Sequence, residues 1–177
     1  LNVVLVARRG AVLQELAARL QSSRGITCRV IALDLGTEGA GAQLAQATAD
    51  LDVGLLVAAA GFGSSGPILA QSDSSEREQL AVNCEAVLGQ CMHFGRRFAE
   101  RKRGGVVLFS SVVAFHGTPW SANYAATKAY VQSLAEALRH EWAPLGIQVV
   151  ASAPGPVGTG FSARARLTMG RTLSPEV

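Results

Sequence analysis

The residues best suited to chemistry are a tyrosine and a lysine four positions apart. Tyr124 and Lys128 lie in the segment Asn123-Tyr-Ala-Ala-Thr-Lys-Ala-Tyr-Val-Gln-Ser-Leu134, which has helical periodicity. Residues four apart share one face of a helix, so the phenol and the ammonium should lie close together. A cation within about 4 to 6 Å favours a phenolate and lowers the pKa of a tyrosine. The spacing therefore predicts that Tyr124 is a general acid or base whose pKa is lowered by Lys128.

A serine upstream of this pair is the second candidate. Ser111 ends the apolar run Gly105-Val-Val-Leu-Phe-Ser-Ser111, which is typical of a buried strand. In an open parallel sheet, ligands bind at the carboxyl ends of the strands. We therefore expect Ser111 to meet the start of the tyrosine helix, where its hydroxyl would hold a carbonyl oxygen while Tyr124 supplies a proton.

The elements that must position these residues follow from hydrophobic periodicity. Apolar runs of strand length alternate with helix-period segments, which is typical of β-α-β units in a mostly parallel sheet. Strands are predicted near residues 3–7, 28–33, 53–58, 106–110 and 147–152, with apolar helical stripes along residues 13–20, 80–98 and 131–142. Gly36, Gly39 and Gly41 are interpreted as a loop that leads into a helix. No repeat or linker interrupts the pattern, so residues 1–177 are predicted to form a single domain.

Composition excludes several classes of function. The 177 residues are 49% hydrophobic and 16% charged, with a net charge of +3. The basic run between Arg96 and Arg103 predicts a solvated helix end rather than a nucleic-acid site. The three histidines show no metal-ligand spacing, and no apolar run is long enough to span a bilayer. Three cysteines without a Cys-x-x-Cys pair argue against disulfides and favour the cytoplasm. We expect no metal, nucleic-acid or membrane partner.

Two segments carry a resemblance to a known family. Leu108-Phe-Ser-Ser-Val-Val113 and Ala122-Asn-Tyr-Ala-Ala-Thr-Lys-Ala129 resemble the short-chain dehydrogenase/reductase family, especially its 3-oxoacyl carrier-protein reductase-type members. The resemblance runs across nearly the whole chain and implies a Rossmann-like, doubly wound parallel sheet. It also implies an oxidoreductase that transfers a hydride between a nicotinamide and a carbonyl or secondary alcohol substrate.

The resemblance assigns catalytic roles residue by residue. It implies that Ser111, Tyr124 and Lys128 form the catalytic triad. Asn83, in Leu80-Ala-Val-Asn-Cys84, matches the family's fourth catalytic residue, which shapes a helix and holds the water of a proton relay. The family also pairs two helices between subunits, so we expect a homodimer or homotetramer built through the helices that start near Glu78 and Asn123.

The resemblance also assigns the cofactor site. Arg8, at the end of Val3-Val-Leu-Val-Ala-Arg8, stands where an arginine receives a 2′-phosphate, so NADP(H) is favoured over NAD(H). The family's Asn-Asn-Ala-Gly turn appears as Ala58-Ala-Ala-Gly61, without the amide that would bridge neighbouring strands. The implied cofactor-binding residues are Arg8, Asp34, Leu35, Ala60, Gly61, Tyr124, Lys128, Pro154, Gly155, Val157 and Thr159.

One departure from the family concerns the ends of the chain. The Gly-rich turn that should follow the first strand is not in its place, and the pattern loosens into a loop-like tail after Pro154. We therefore expect that the first strand and helix and the C-terminal end are missing, and that the chain as written is inactive. The alternatives are a non-catalytic fragment or binding module of the same fold, and a sugar-nucleotide epimerase-like enzyme, which shares Tyr-x-x-x-Lys.

Overall fold

The computed structural model describes residues 1–158, 172 and 174. The chain groups into two compact units, Leu1–Leu51 and Asp52–Val177. In each unit, parallel strands alternate with helices along the chain, which confirms the predicted α/β class. Within the described residues, no helix is both long enough and apolar enough to cross a bilayer.

The first unit is a two-stranded parallel sheet with two helices. Its elements are β1 (Val3–Ala7), α1 (Gly10–Arg24), β2 (Cys28–Ala32) and α2 (Ala40–Ala47). The strands pair in register from Val3 opposite Cys28 to Ala7 opposite Ala32. Gly39 caps α2 with φ 77°, a left-handed conformation that glycine adopts at little cost. The predicted helix-entry loop is therefore confirmed.

The second unit is a three-stranded parallel sheet in the order β3-β4-β5. Its elements are β3 (Leu55–Ala58), α3 (Asp73–Leu80), α4 (Ala86–Glu100), β4 (Gly104–Phe109), α5 (Ala122–Trp142) and β5 (Ile147–Ser152). Helices α4 and α5 pack on the sheet, and the buried core of this unit includes Phe98 and Val131 of the helices and Val106 and Leu108 of the central strand. This packing brings the carboxyl end of β4 next to the first turns of α5.

One feature of the second unit differs from the predicted pattern. A π-helical segment, Ala81–Glu85, joins α3 to α4 where the apolar stripe predicted an uninterrupted helix. Such segments occur often at functional sites. The five strands lie in two sheets, since the hydrogen-bonded neighbour of β1 among the described residues is β2 and that of β3 is β4.

Candidate active site

Ser111 and Tyr124 meet at the carboxyl end of β4. Ser111 follows the strand by two residues and caps a 3₁₀ turn, Val112–Phe115, whose Val113 N–H donates to the serine hydroxyl at 3.4 Å. Tyr124 lies in the first turn of α5, and its side chain is hydrogen-bonded to that of Ser111. Ser111 is 8% exposed and Tyr124 is 9% exposed. The serine and the phenol that the sequence predicted to meet are therefore together in a partly desolvated site.

Lys128 lies one helical turn beyond Tyr124 and is anchored to the end of β4. Its Nζ donates to the Phe109 carbonyl at 2.8 Å, and the Ser110 hydroxyl donates to the Lys128 carbonyl at 3.1 Å. The ammonium lies 5.8 Å from the centroid of the Tyr124 ring. Burial lowers the pKa of Lys128 to about 8, because an apolar environment disfavours the charged form.

The pKa of Tyr124 does not follow the prediction from spacing. Burial raises it above its ordinary value, and the hydrogen bond with Ser111 offsets part of that rise. Lys128 lies over the ring and directs a proton to the Phe109 carbonyl, so the expected stabilisation of a phenolate is not realised. The shift is therefore opposite in direction to the one predicted from the sequence.

Asn83 sits at the middle of the π-helical segment and is 1% exposed. Its Nδ2 donates to the Phe62 carbonyl at 2.9 Å and to Thr127 Oγ1 at 3.0 Å, while its Oδ1 accepts from the Phe62 N–H at 3.1 Å. A Cβ on Gly61 would lie 3.1 Å from Asn83 Oδ1 and 3.4 Å from Lys128 Nζ. The absence of a side chain at Gly61 therefore leaves room for the asparagine and the lysine.

Sequence reasoning missed two residues that support this cluster. Thr127 is 1% exposed, accepts from Asn83 and donates from Oγ1 to the Tyr124 carbonyl at 2.8 Å. Ser110, which is 2% exposed, holds the backbone of Lys128. Thr127 comes immediately before Lys128, and Ser110 comes immediately before Ser111. A polar side chain next to a predicted catalytic residue is therefore the sequence feature that could have identified both.

Part of the predicted cofactor site lies beside the serine turn. The Pro154 carbonyl accepts from the Val112 N–H at 3.2 Å, so the loop that follows β5 adjoins the 3₁₀ turn. Gly155 and Val157 continue this loop. Ala60, which is exposed, and Gly61 follow β3. The remaining residue predicted here, Thr159, lies outside the described residues.

The other predicted cofactor residues belong to the first unit. Arg8 follows β1, and its Nη1 lies 3.5 Å from Asp34 Oδ2. The side chains of this pair are 44% and 36% exposed. Asp34 also accepts from the Gly36 N–H at 3.0 Å through Oδ1, and Leu35 is half-buried. Arg8 is thus positioned by Asp34, another residue that the family resemblance assigns to the cofactor site.

Two curated proteins illustrate the range of sequence relatives. The 7beta-hydroxysteroid dehydrogenase of Collinsella aerofaciens is 29% identical over 177 residues, which is all of this chain and 62% of the relative. The galactitol 2-dehydrogenase (L-tagatose-forming) of Cereibacter sphaeroides is 30% identical over 167 residues, or 93% of this chain and 65% of the relative. The chain therefore spans a little under two thirds of the length of these relatives.

Structural similarity and a family model agree with each other. A short-chain dehydrogenase from Sphingobium yanoikuyae, solved in complex with NADPH, superposes with a TM-score of 0.93 at 29% identity, covering 98% of this chain and 69% of that one. The matches do not point specifically to 3-oxoacyl carrier-protein reductases. The model of the short chain dehydrogenase family matches residues 1–170. The chain, with its Rossmann-like α/β fold, therefore belongs to the short-chain dehydrogenase family.

Proposed function

We propose that the protein is an NADP(H)-dependent oxidoreductase that interconverts a carbonyl compound and a secondary alcohol. The observation that carries this proposal is the buried, hydrogen-bonded pair of Ser111 and Tyr124, with Lys128 one helical turn away. A serine hydroxyl and a phenol that lie next to each other can hold a carbonyl oxygen and give it a proton. The non-catalytic and epimerase-like alternatives have no comparable observation in their favour.

The proton chemistry of the site favours Tyr124 as the acid in the reducing direction. Because burial raises its pKa, Tyr124 keeps its proton at neutral pH and can donate it to a substrate oxygen. Ser111 can donate a hydrogen bond to the same oxygen and so orient it. Lys128, whose pKa is about 8, is protonated at neutral pH. It can pass a proton toward Tyr124 after the tyrosine has given its own proton to the substrate.

Asn83 acts in this proposal mainly by positioning its neighbours. Both of its amide hydrogens are used, on the Phe62 carbonyl and on Thr127. Its side chain therefore holds the segment after β3 against α5, the helix that carries Tyr124 and Lys128. One lone pair of its amide oxygen remains for the relay water that the family resemblance implies.

The residues present fit a nicotinamide cofactor. Lys128 has three ammonium donors, of which one is used on the Phe109 carbonyl, so two remain for ribose hydroxyls. Arg8 can donate to a 2′-phosphate, and this supports a preference for NADP(H) over NAD(H). When bound, the cofactor supplies or accepts the hydride. We assign its contacts to Arg8, Asp34, Leu35, Ala60, Gly61, Tyr124, Lys128, Pro154, Gly155, Val157 and Thr159.

The proposal also covers the domain organisation, the subunit assembly and the cellular compartment of the protein. We propose that residues 1–177 act as one domain and assemble into a homodimer or homotetramer through α4 and α5. Leu88, Met92 and Tyr130 on these helices are 39%, 46% and 38% exposed, as side chains of an apolar interface would be in one subunit alone. The free cysteines Cys28, Cys84 and Cys91 support a reducing cytoplasm.

The proposal is tested by mixing the purified complete gene product with NADPH and a panel of carbonyl compounds. The relatives named above include a steroid dehydrogenase and a sugar-alcohol dehydrogenase, so the panel holds both cyclic apolar ketones and ketoses. We expect a loss of absorbance at the nicotinamide band that requires both protein and carbonyl. NADPH binding without turnover of any carbonyl would contradict the proposal and favour a binding module.

A further inference from the structure

The segment between Ser111 and Tyr124 presents apolar side chains to the surface beside the candidate site. Val112 is 43% exposed, Phe115 is 63% exposed and Trp120 is 65% exposed. No Asp, Glu, Lys or Arg occurs from residue 112 to residue 123. Exposed apolar side chains in a segment that joins two residues of a polar reaction centre are typical of a binding site for an apolar molecule.

The backbone of Trp120 is held in an unusual conformation. Its φ of 65° lies in the left-handed region, which is unfavourable for a bulky residue. The Gly66 N–H donates to the Trp120 carbonyl at 2.7 Å, and the hydroxyl of Ser121 donates to the Ser64 carbonyl at 3.3 Å. Lys102, the other described non-glycine with positive φ, lies just after α4, where such a turn is common. A strained backbone that neighbouring segments hold in place is typical of ligand-binding sites. Here the indole of Trp120 is also exposed.

The segment bonded to Trp120 adds two more apolar side chains. It includes a 3₁₀ turn, Ile68–Ala70, in which Ile68 is 52% exposed and Leu69 is 97% exposed. Gln71 Nε2 donates to the Ser65 carbonyl at 3.1 Å and so fixes the turn. Together the two segments form what we call the apolar rim, which consists of Ile68, Leu69, Val112, Phe115 and Trp120.

Most polar side chains of the two rim segments bond within the protein, whereas the side chain of His116 is exposed. Ser64 Oγ accepts from Gln79 Nε2 at 3.3 Å, while Gln71 and Ser121 bond to backbone carbonyls. No charged residue occurs from residue 61 to residue 72. Apart from His116, the two segments therefore offer few partners for the hydroxyls of a sugar alcohol and no Lys or Arg for a carboxylate or a phosphate. A polar ligand bound here would lose hydrogen bonds to water without replacing them.

We propose that the apolar rim binds the body of the substrate, and that Phe115 and Trp120 select ketones or secondary alcohols with a ring-sized or larger apolar group on the reacting carbon. This inference rests on the proposed function, because that function places the substrate oxygen at Ser111 and Tyr124. The reacting carbon is then held next to the segment that bears both aromatic rings. Sugar alcohols and acidic sugars are poor substrates in this account.

The test compares kcat/KM for a bulky cyclic ketone, a small aliphatic ketone and a ketose. We expect Phe115→Ala and Trp120→Gly to lower the ratio of bulky to small ketone by about tenfold or more, mainly through KM for the bulky one. Glycine accepts the positive φ of Trp120, so this variant removes the indole without straining the backbone. Leu145→Ala is the matched control, since Leu145 is 41% exposed and lies in the turn before β5. It should leave the ratio unchanged.

A second readout does not depend on turnover. The bulky ketone should quench the fluorescence of the wild-type protein and should not quench that of Trp120→Gly, in which Trp142 is the remaining tryptophan. Quenching without any carbonyl reduction would refute the proposed function and leave the rim as a ligand site. The inference is overturned if both variants keep the wild-type ratio within about twofold, if the ketose is preferred, or if light scattering shows that Trp120→Gly breaks an assembly of subunits.

Discussion

Removing the ammonium of Lys128 should change how the stability of the protein depends on pH. Lys128 is 6% exposed, and burial lowers its pKa from 10.5 to about 8. An unfolded chain still binds the proton between these two pH values, whereas the folded protein has released it. The free energy of unfolding should therefore rise with pH in this window. Below pH 8 both states carry the charge, and the full penalty for its burial remains.

The size of this effect follows from the same shift. One pH unit corresponds to about 1.4 kcal/mol, so the whole window amounts to about 3 kcal/mol. From pH 8 to pH 9 the contribution of Lys128 is about 1 kcal/mol. Burial also raises the pKa of Tyr124 and Cys84 and raises that of Cys91 from 9.0 to about 11, and these groups lower the free energy of unfolding as the pH approaches and passes their ordinary pKa values. The pH range just above neutrality is therefore the one to use.

Urea unfolding from pH 7.5 to 9 measures this contribution directly. Lys128→Met keeps a long apolar side chain in the buried position and removes the titrating group. Lys102→Asn is the control, because Lys102 is the other lysine of the chain and is exposed, and asparagine tolerates its φ of 54°. The free energy of unfolding of the wild type minus that of Lys128→Met should increase by about 1 kcal/mol from pH 8 to pH 9. Parallel curves for the wild type and Lys128→Met would refute the reasoning.

Three further outcomes follow. Asn83→Ala should lower the free energy of unfolding by about 2 to 5 kcal/mol, because the N–H and carbonyl of Phe62 lose their partner in a buried site. Thr127→Ser is the control, since it keeps the hydroxyl and should cost less than about 1.5 kcal/mol in the same denaturation assay. Equal losses of stability in the two variants would contradict this account. Arg8→Asp should reverse the ratio of kcat/KM for NADPH and NADH, and an unmodified enzyme that uses both cofactors equally would show that Arg8 is not the phosphate ligand. Light scattering at micromolar concentration should give a dimer or tetramer, and a monomer would exclude the interface proposed for α4 and α5.

The sequence predicted the strands well where local patterning determines them. Residues 3–7 and 147–152 were predicted as strands and match β1 and β5. The strand predicted near residues 106–110 starts two residues later than β4, which includes Gly104 and Gly105. In the structure a Cβ on Gly104 would overlap the ring of Phe98, so a strand residue without a side chain is needed there. That requirement comes from packing against α4 and has no local signal.

In the candidate site, too, residue spacing along the chain was predictable, whereas effects of contacts between distant residues were not. The spacing of Tyr124 and Lys128 was enough to place both on one helix face near Ser111. The direction of the pKa shift of Tyr124 was not predictable, since it depends on burial and on the Phe109 carbonyl that binds the lysine. The π-helical segment around Asn83 was also missed, because the side chain of Asn83 bonds there to a loop more than 20 residues earlier in the chain.

The central claim is that Tyr124 gives the proton in a carbonyl reduction driven by NADPH. The most direct test is the kcat of Tyr124→Phe beside that of the wild type, with NADPH affinity measured by calorimetric titration of both. Phenylalanine keeps the buried ring and removes only the hydroxyl that is bonded to Ser111. We predict that kcat falls by about 10² to 10⁴-fold while the Kd for NADPH changes little. A variant that retains more than about half of the wild-type kcat would contradict the account.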